Sequence, residues 1–461
     1  MNRMNRYPLT RRDNVVQQSK PRRSFIRRTA RISVVAVIGA SLLAGCSYLG
    51  GGQAQDGKTH LQVLVHQNPT TVTALKDVAA AYKKQTGVDV EVTGVPLSDF
   101  STVRNSRISG GKVDITEGID SGGASPNPSW VGSDIPQKDW IKEVAAGNWV
   151  DLTGDKMLSN YSPGVLDQLR TNGKDYLVPT GLSYVTGMLY NKDLFTKYNL
   201  QIPTTWTEFV DVCQKLKGAG VIPIGIGGKT QWPAGLPVLG LVQSLFPDMQ
   251  GLDKSLWDGS FKFTSPQSVE LLDKLKTYYS YADPNFAGID YSTIPGSFAS
   301  AKFAMTADGN WTAPALESAN PDFKFGVFPF PGSNDPSMNK LIGGKLDSSY
   351  GIPKSSLNQT EAKKFLAFYS DPANYTKFVK VSGLAPAQPN IGTTPFLKEI
   401  SAFAGDGGFT PSWDQVWHAN PKADPSLGLG WAYTLLSPMG TDNDPNSVAT
   451  NMEQNWTKAL P

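Results

Sequence analysis

The chain has 461 residues, enough for two domains of ordinary size once a leader is set aside. Its formal charge is +3, yet residues 1 to 45 hold ten lysines and arginines against Asp13 alone. The rest of the chain therefore carries −6, and no basic stripe remains to argue for nucleic acid.

Arg22-Arg23-Ser24-Phe25-Ile26-Arg27 resembles the twin-arginine export motif. The apolar run Ile32 to Leu43 behind it is too short to span a bilayer as a helix, which needs roughly 20 residues. Leu43-Ala44-Gly45-Cys46 looks like a lipobox, which implies cleavage before Cys46 and lipidation of its thiol. An ordinary signal peptide with a chance cysteine is the alternative. Residues 1–45 thus read as a lipoprotein signal peptide, and 46–58, with Gly50-Gly51-Gly52, as a flexible tether. With Cys46 assigned to lipid, Cys213 is the only other cysteine, so no internal disulfide is expected. Cys213 falls at helical spacing with Phe209, Val212 and Leu216 and reads as a small buried apolar residue.

Leu61 to Val65 reads as a strand. Val72, Leu75, Val78 and Tyr82 recur at helical spacing up to the stop at Gly87, and Val88, Val90 and Val92 alternate again. That is a βαβ unit, which implies a parallel sheet with ligand-facing loops at its strand ends. His66 and Gln67 occupy the first such loop. A histidine there reads as a ligand contact, a loop filler or a polar helix-entry residue. Glu117 and Asp120 follow a short strand; a carboxylate accepts two hydroxyl hydrogen bonds at once, although a solvated loop would carry the same acids.

Thr205 with Glu208 three residues on forms a capping box, so a helix starts there, with Trp206 structural in its first turn. Val221 to Ile226 reads as a buried strand. Gly227-Gly228-Lys229-Thr230 behind it is not a phosphate loop, because Pro223 stands where that motif needs glycine. Trp232, just beyond, is a candidate stacking surface. Ser268 to Tyr279 and Ser447 to Leu460 are amphipathic helices, and Thr360 to Tyr369 is helical.

The stretch Phe298 to Trp311, FASAKFAMTADGNW, organises the rest. A helix end leads into the strand-like Phe303-Ala304-Met305, which breaks at Asp308-Gly309-Asn310 and displays Trp311 just past the strand end. Ligands of open α/β sheets lie in that place. An indole offers a flat apolar face, and the Asn310 amide can donate and accept, which suits a ligand with a C–H face and a rim of hydroxyls. A turn followed by a tryptophan that merely packs is the other reading.

The pattern F-x-x-x-K-x-A-M-x-x-x-G-x-W in this stretch resembles the signature of family 1 extracellular solute-binding proteins, the sugar-capturing components of bacterial ABC importers. Gly187 to Phe195, GMLYNKDLF, is a second match. The likeness covers most of the chain beyond the leader, in order. It implies a two-lobed α/β periplasmic-binding-protein-like fold with three interlobe crossings: 59–187 plus 342–382 as the first lobe, 188–341 plus 383–461 as the second. It makes Trp311 the sugar-stacking tryptophan and Tyr184 a sugar contact. Ile342-Gly343-Gly344 would re-enter the first lobe beside Asp347 and let a ligand approach the backbone closely. Trp413, Trp417 and Trp431 are candidates for a further platform. Lys112 to Gly123 only partly matches the family, with Val113 for its proline, and Ser121 to Asp134 departs from it most and is expected to be a specificity loop.

The expected ligand is a carbohydrate and the expected partners are an ABC permease and its ATPase. The location expected is the extracytoplasmic face of the cell membrane, as a lipid-anchored monomer without cofactor or metal. A secreted polysaccharide-acting enzyme is the rival class, but no G-x-S-x-G elbow, no H-E-x-x-H and no ligand spacing among His60, His66 and His418 supports it. Asp442 to Asn446 hints at a calcium loop but has Ser447 where that loop needs glycine. A binding protein for a non-sugar solute is the other alternative.

Overall fold

The computed structural model describes residues 59–118, 123–405 and 410–461. The leader, the tether, Cys46 and Asp120 lie outside the described residues. Eleven strands are described: β1 (His60–His66), β2 (Asp89–Val95), β3 (Ile115–Glu117), β4 (Val178–Pro179), β5 (Leu182–Tyr184), β6 (Gly187–Asn191), β7 (Ile222–Ile224), β8 (Phe303–Ala307), β9 (Phe325–Pro329), β10 (Gly344–Leu346) and β11 (Ser349–Gly351).

The βαβ unit forms as its periodicity predicts. β1 and β2 run parallel from His60 opposite Asp89 to His66 opposite Val95, joined by the helix Pro69–Thr86. Asn68 caps that helix by accepting from the Thr71 amide, and Gly87 stops it at φ 78°, a left-handed conformation that costs glycine little. Its buried stripe, Ala74, Leu75, Val78, Ala79 and Tyr82, packs into a core with Leu61, Val63 and Val65 of β1 and Phe365, Tyr369 and Phe378 further on. The first sheet has the order β2-β1-β3-β11-β4, the last two strands antiparallel to their neighbours.

A second sheet, β7-β8-β6-β9, lies over a separate core. The helix Trp206–Gly218 feeds it Phe209, Val212, Cys213 and Leu216, all buried, and carries the capping box: the Glu208 amide donates to Thr205 Oγ1 at 3.2 Å and the Thr205 amide to Glu208 Oε2 at 3.1 Å. β8 follows the helix Ile294–Ala299 and gives way to the short turn Asn310–Thr312, so the organising stretch folds as its pattern predicts.

The chain passes between the two sheets in three places that lie side by side. β5 pairs antiparallel with β10, Tyr184 opposite Gly344, and Leu182 exchanges main-chain hydrogen bonds with Ala385 at 2.8 and 3.0 Å. The fold is thus α/β and two-lobed. Leu384 and Ala387 still pack in the first core, so the chain stays with the first sheet beyond residue 382. The described part of the expected specificity loop, residues 123–134, and the residues just after it pack against both lobes. Ala124 packs with Trp140 near the first sheet, whereas Val131 and Ile135 are buried in the second core and Trp130 Nε1 donates to Asp253 Oδ2 at 2.8 Å.

Candidate functional site

Trp311 lies half-buried just past β8, its ring over the main chain of Gly309. A Cβ on that glycine would come within 2.0 Å of the indole, so only glycine admits this placement. The indole Nε1 donates to the Tyr291 hydroxyl at 2.8 Å. Trp232, also half-buried, meets Trp311 edge-on at 6.1 Å between ring centroids and Tyr291 at 4.6 Å. The two tryptophans singled out in the sequence therefore come together. From the first lobe, the Thr70 hydroxyl lies within hydrogen-bond distance of the Trp311 carbonyl at 3.4 Å and the Ser382 carbonyl at 3.1 Å, which brings the main chain of Trp311 against the first lobe.

Asn310 is beside Trp311 but does another job. Its Oδ1 accepts from the Tyr184 amide at 2.7 Å, and its Nδ2 donates to the carbonyls of Gly383 at 2.8 Å and Leu182 at 3.2 Å. At 1 % exposed, with both donors and an acceptor used, it staples two of the crossings together instead of reaching for hydroxyls. Gly343 and Gly344 likewise do not offer their amides to a ligand: these donate to Thr186 Oγ1 at 2.6 Å and to the Thr410 carbonyl at 2.7 Å. A Cβ on Gly344 would meet the Ser183 carbonyl at 2.6 Å, so the close approach that requires glycine is to the paired strand β5. Tyr184 is buried on that strand, and burial raises its hydroxyl's pKa.

A chain of charges runs beneath these crossings. Glu117, 5 % exposed at the end of β3, accepts from the His66 amide at 3.2 Å and meets His66 Nδ1 at 2.9 Å. Burial alone would push the imidazole down, but the Glu117 carboxylate against it prevails and lifts it to about 9. His66 is therefore an imidazolium at neutral pH. Lys345 on β10 pairs with Asp414 at 2.7 Å. Asp347, two residues on, is raised by burial, with His66 and Lys345 pulling it back. The Ser183 side chain, hydrogen-bonding it, also pulls it back. Gln67 is exposed, its amide donating to the Val95 carbonyl at 2.7 Å.

Trp413 is not a cleft wall. It is fully buried in the second core, its Nε1 donating to the Leu429 carbonyl at 2.9 Å, and its ring is 5.3 Å from Trp417 and 6.1 Å from Trp431. Trp417 and Trp431 are buried with it. Sequence reasoning missed Tyr291 and Asp308. Asp308 stood in the organising stretch but was read only as a turn former, and Tyr291 carries no local signal. A surface depression of about 560 Å3 lined by Trp206, Glu270 and Lys274 shares no residue with this site. Among the described residues no cluster of His, Cys, Asp and Glu could hold a metal, and no helix is long and apolar enough to cross a membrane.

Two α/β lobes on three adjacent crossings define the two-lobed class of binding proteins. Residues 77–405 match the family of bacterial extracellular solute-binding proteins, and the chain belongs to that family. It is similar to the multiple sugar-binding protein of Streptococcus mutans, 25% identical over 366 residues that cover 77% of this chain and 81% of the relative. The melibiose/raffinose/stachyose-binding protein MelE of Bacillus subtilis is 22% identical over 297 residues, 62% of this chain and 69% of MelE. Among solved structures, RafE in complex with raffinose superposes with a TM-score of 0.70 at 20% identity, over 88% of this chain and 100% of RafE. A sugar transporter protein of Bacillus licheniformis in complex with stachyose gives 0.68 at 19% identity, over 87% and 100%.

Proposed function

We propose that the protein captures a sugar or oligosaccharide between its two lobes and delivers it to a membrane ABC permease driven by its ATPase. The observation that carries this reading is the pair of half-buried indoles, Trp232 and Trp311, with the main chain of Trp311 against the first lobe. Indole faces bind the C–H face of a pyranose, and the named sugar-binding relatives point to the same ligand class. Asp347, buried near His66 and Lys345, is a further candidate acceptor for a hydroxyl. His66 with Glu117, and Tyr184 on β5, are further candidates for ligand contacts, as is Asp120 from the sequence.

The lobes are taken as 59–187 plus 342–382 and 188–341 plus 383–461, with Leu384, Ala387 and Ile391 still packing on the first core. A ligand that touches both lobes favours the closed arrangement over the open one, which is what shifts the population. The lipobox reading makes Cys46 the lipid anchor, holding a monomer on the extracytoplasmic face of the cell membrane. Thermal-shift screening with monosaccharides, raffinose, stachyose and longer oligomers tests the reading. A sugar that binds the native state raises the melting temperature in a concentration-dependent way. A panel in which no sugar moves it, while a peptide or polyamine does, replaces the sugar reading with a non-sugar solute. Release of cleaved sugar during the same incubations restores the enzyme alternative.

A further inference from the structure

Asp308 is a carboxylate 2 % exposed beneath the displayed indole, and the groups that hydrogen-bond it are neutral: the Tyr291 hydroxyl at 3.0 and 3.1 Å, the Gly309 amide at 2.8 Å, and the side chains of Thr312 and Trp311. Burying a carboxylate among neutral groups is costly, and burial raises Asp308 to about 7. An arrangement with that cost needs a structural return, and the geometry supplies one. In its ionised form, which dominates above about pH 7, Asp308 only accepts, so there it obliges the Tyr291 hydroxyl to donate to it. The hydroxyl lone pairs then face outward, and Trp311 Nε1 donates to them at 2.8 Å, with Thr312 Oγ1 beside at 3.2 Å. Were the acid a hydroxyl or an amide, the Tyr291 proton could turn either way and the indole N–H would meet a donor half the time. Trp232 packs against the same phenol at 4.6 Å, so one ring braces both tryptophans.

We propose that Tyr291 is a positioning residue for sugar capture: its hydroxyl, oriented by the buried Asp308 carboxylate, locks the Trp311 indole in the pose that presents its face to the ligand. Tyr291 itself does not touch the sugar in this arrangement. It acts through Trp311, by removing rotamers that the indole would otherwise lose on binding. The proposal rests on the sugar-capture reading for its purpose but not for its geometry, and the test separates the two.

The protein is produced with 5-fluorotryptophan, and the fluorine resonance of Trp311 is assigned as the one missing from Trp311→Phe. In Tyr291→Phe, which deletes only the hydroxyl, that resonance shifts and broadens while those of the sealed Trp413 and Trp431 stay in place. Asp308→Asn, which replaces the acid by an amide of the same shape, changes the same resonance and serves if Tyr291→Phe folds poorly. An unchanged Trp311 resonance in both variants overturns the proposal whether or not any sugar binds. Calorimetry with raffinose and stachyose supplies the second arm. Tyr291→Phe weakens the sugar that wild type binds about tenfold, and adding Trp311→Ala to it costs no more than Trp311→Ala alone. Fully additive losses from the two substitutions also overturn it. If wild type binds no sugar yet the resonance responds, the positioning role stands and the sugar reading falls.

Discussion

Two groups among the tryptophans around the second core teach different lessons about the same side chain. Trp413, Trp417, Trp431 and Trp456 form one sealed cluster, and their nitrogens donate to fixed partners: the carbonyls of Leu429, Gly428 and Leu256 and the hydroxyl of Ser268. Trp232 and Trp311 pack on the edge of the same core but stay half-buried, and Trp311 donates to a phenol that leans on a buried acid. The sealed group meets neutral carbonyls and a hydroxyl; the half-open one sits where ionisable groups are buried at a cost. Stability and binding are thus built from one residue type, separated by what its N–H meets and by how much of its face is covered.

The largest effect should come from the sealed group. Trp431→Ala is expected to destabilise the fold by about 4 kcal/mol, as Phe or Trp to Ala changes in cores do, while the molecules that stay folded bind sugar as before. Chemical denaturation with calorimetry on the same samples checks both halves, and an affinity loss without a stability loss would move Trp431 into the site. Next comes the charged chain. His66→Ala leaves Glu117 buried with only the residue-66 amide as donor and should cost about 3 kcal/mol, the usual penalty for breaking a buried pair. The pH dependence has a definite sign. The folded-state pKa of His66 is raised to about 9, so its contribution is complete below the ordinary imidazole range near 6.5 and is lost as pH rises through 9. Melting curves from pH 6 to 10 should show that loss in wild type and not in His66→Ala. Parallel curves for the two proteins would show that the pair does not carry it.

What the sequence made legible follows from where local pattern decides structure. The βαβ unit, the Thr205–Glu208 capping box and the helix-strand-turn run into Trp311 are set by periodicity and by side chains a few residues apart, so they could be read directly. Trp413 could not be placed, because whether an indole at a helix start is wall or core depends on Leu429 and Trp431, which approach only in the fold. Asn310 was chosen for its hydrogen-bonding capacity, rightly, but the partners are the carbonyls of Leu182 and Gly383, more than seventy residues away on either side. Gly343 and Gly344 suggest close approach of a ligand, whereas Gln243, Ser412 and strand β5 are what approach them. In each case residue chemistry was visible and the identity of the partner was not.

Two smaller substitutions sharpen the contrast within the half-open pair. Trp311→Ala is expected to weaken sugar binding by on the order of 1 to 3 kcal/mol, what removing one large apolar contact forfeits, with less effect on stability than Trp431→Ala. Unchanged binding by calorimetry would take Trp311 out of the site. Trp232→Phe is the gentler change. Trp232 meets Trp311 by its edge at 6.1 Å with the planes 62° apart, so it serves Trp311 as a brace. A phenyl ring keeps part of that edge contact and loses only the outer ring, so binding should weaken by about 0.5 to 1 kcal/mol, the range of one aromatic pair. A loss as large as that of Trp311→Ala would mean that Trp232 offers its own face to the ligand, and the site would then have two stacking walls where the geometry argues for one wall and its support.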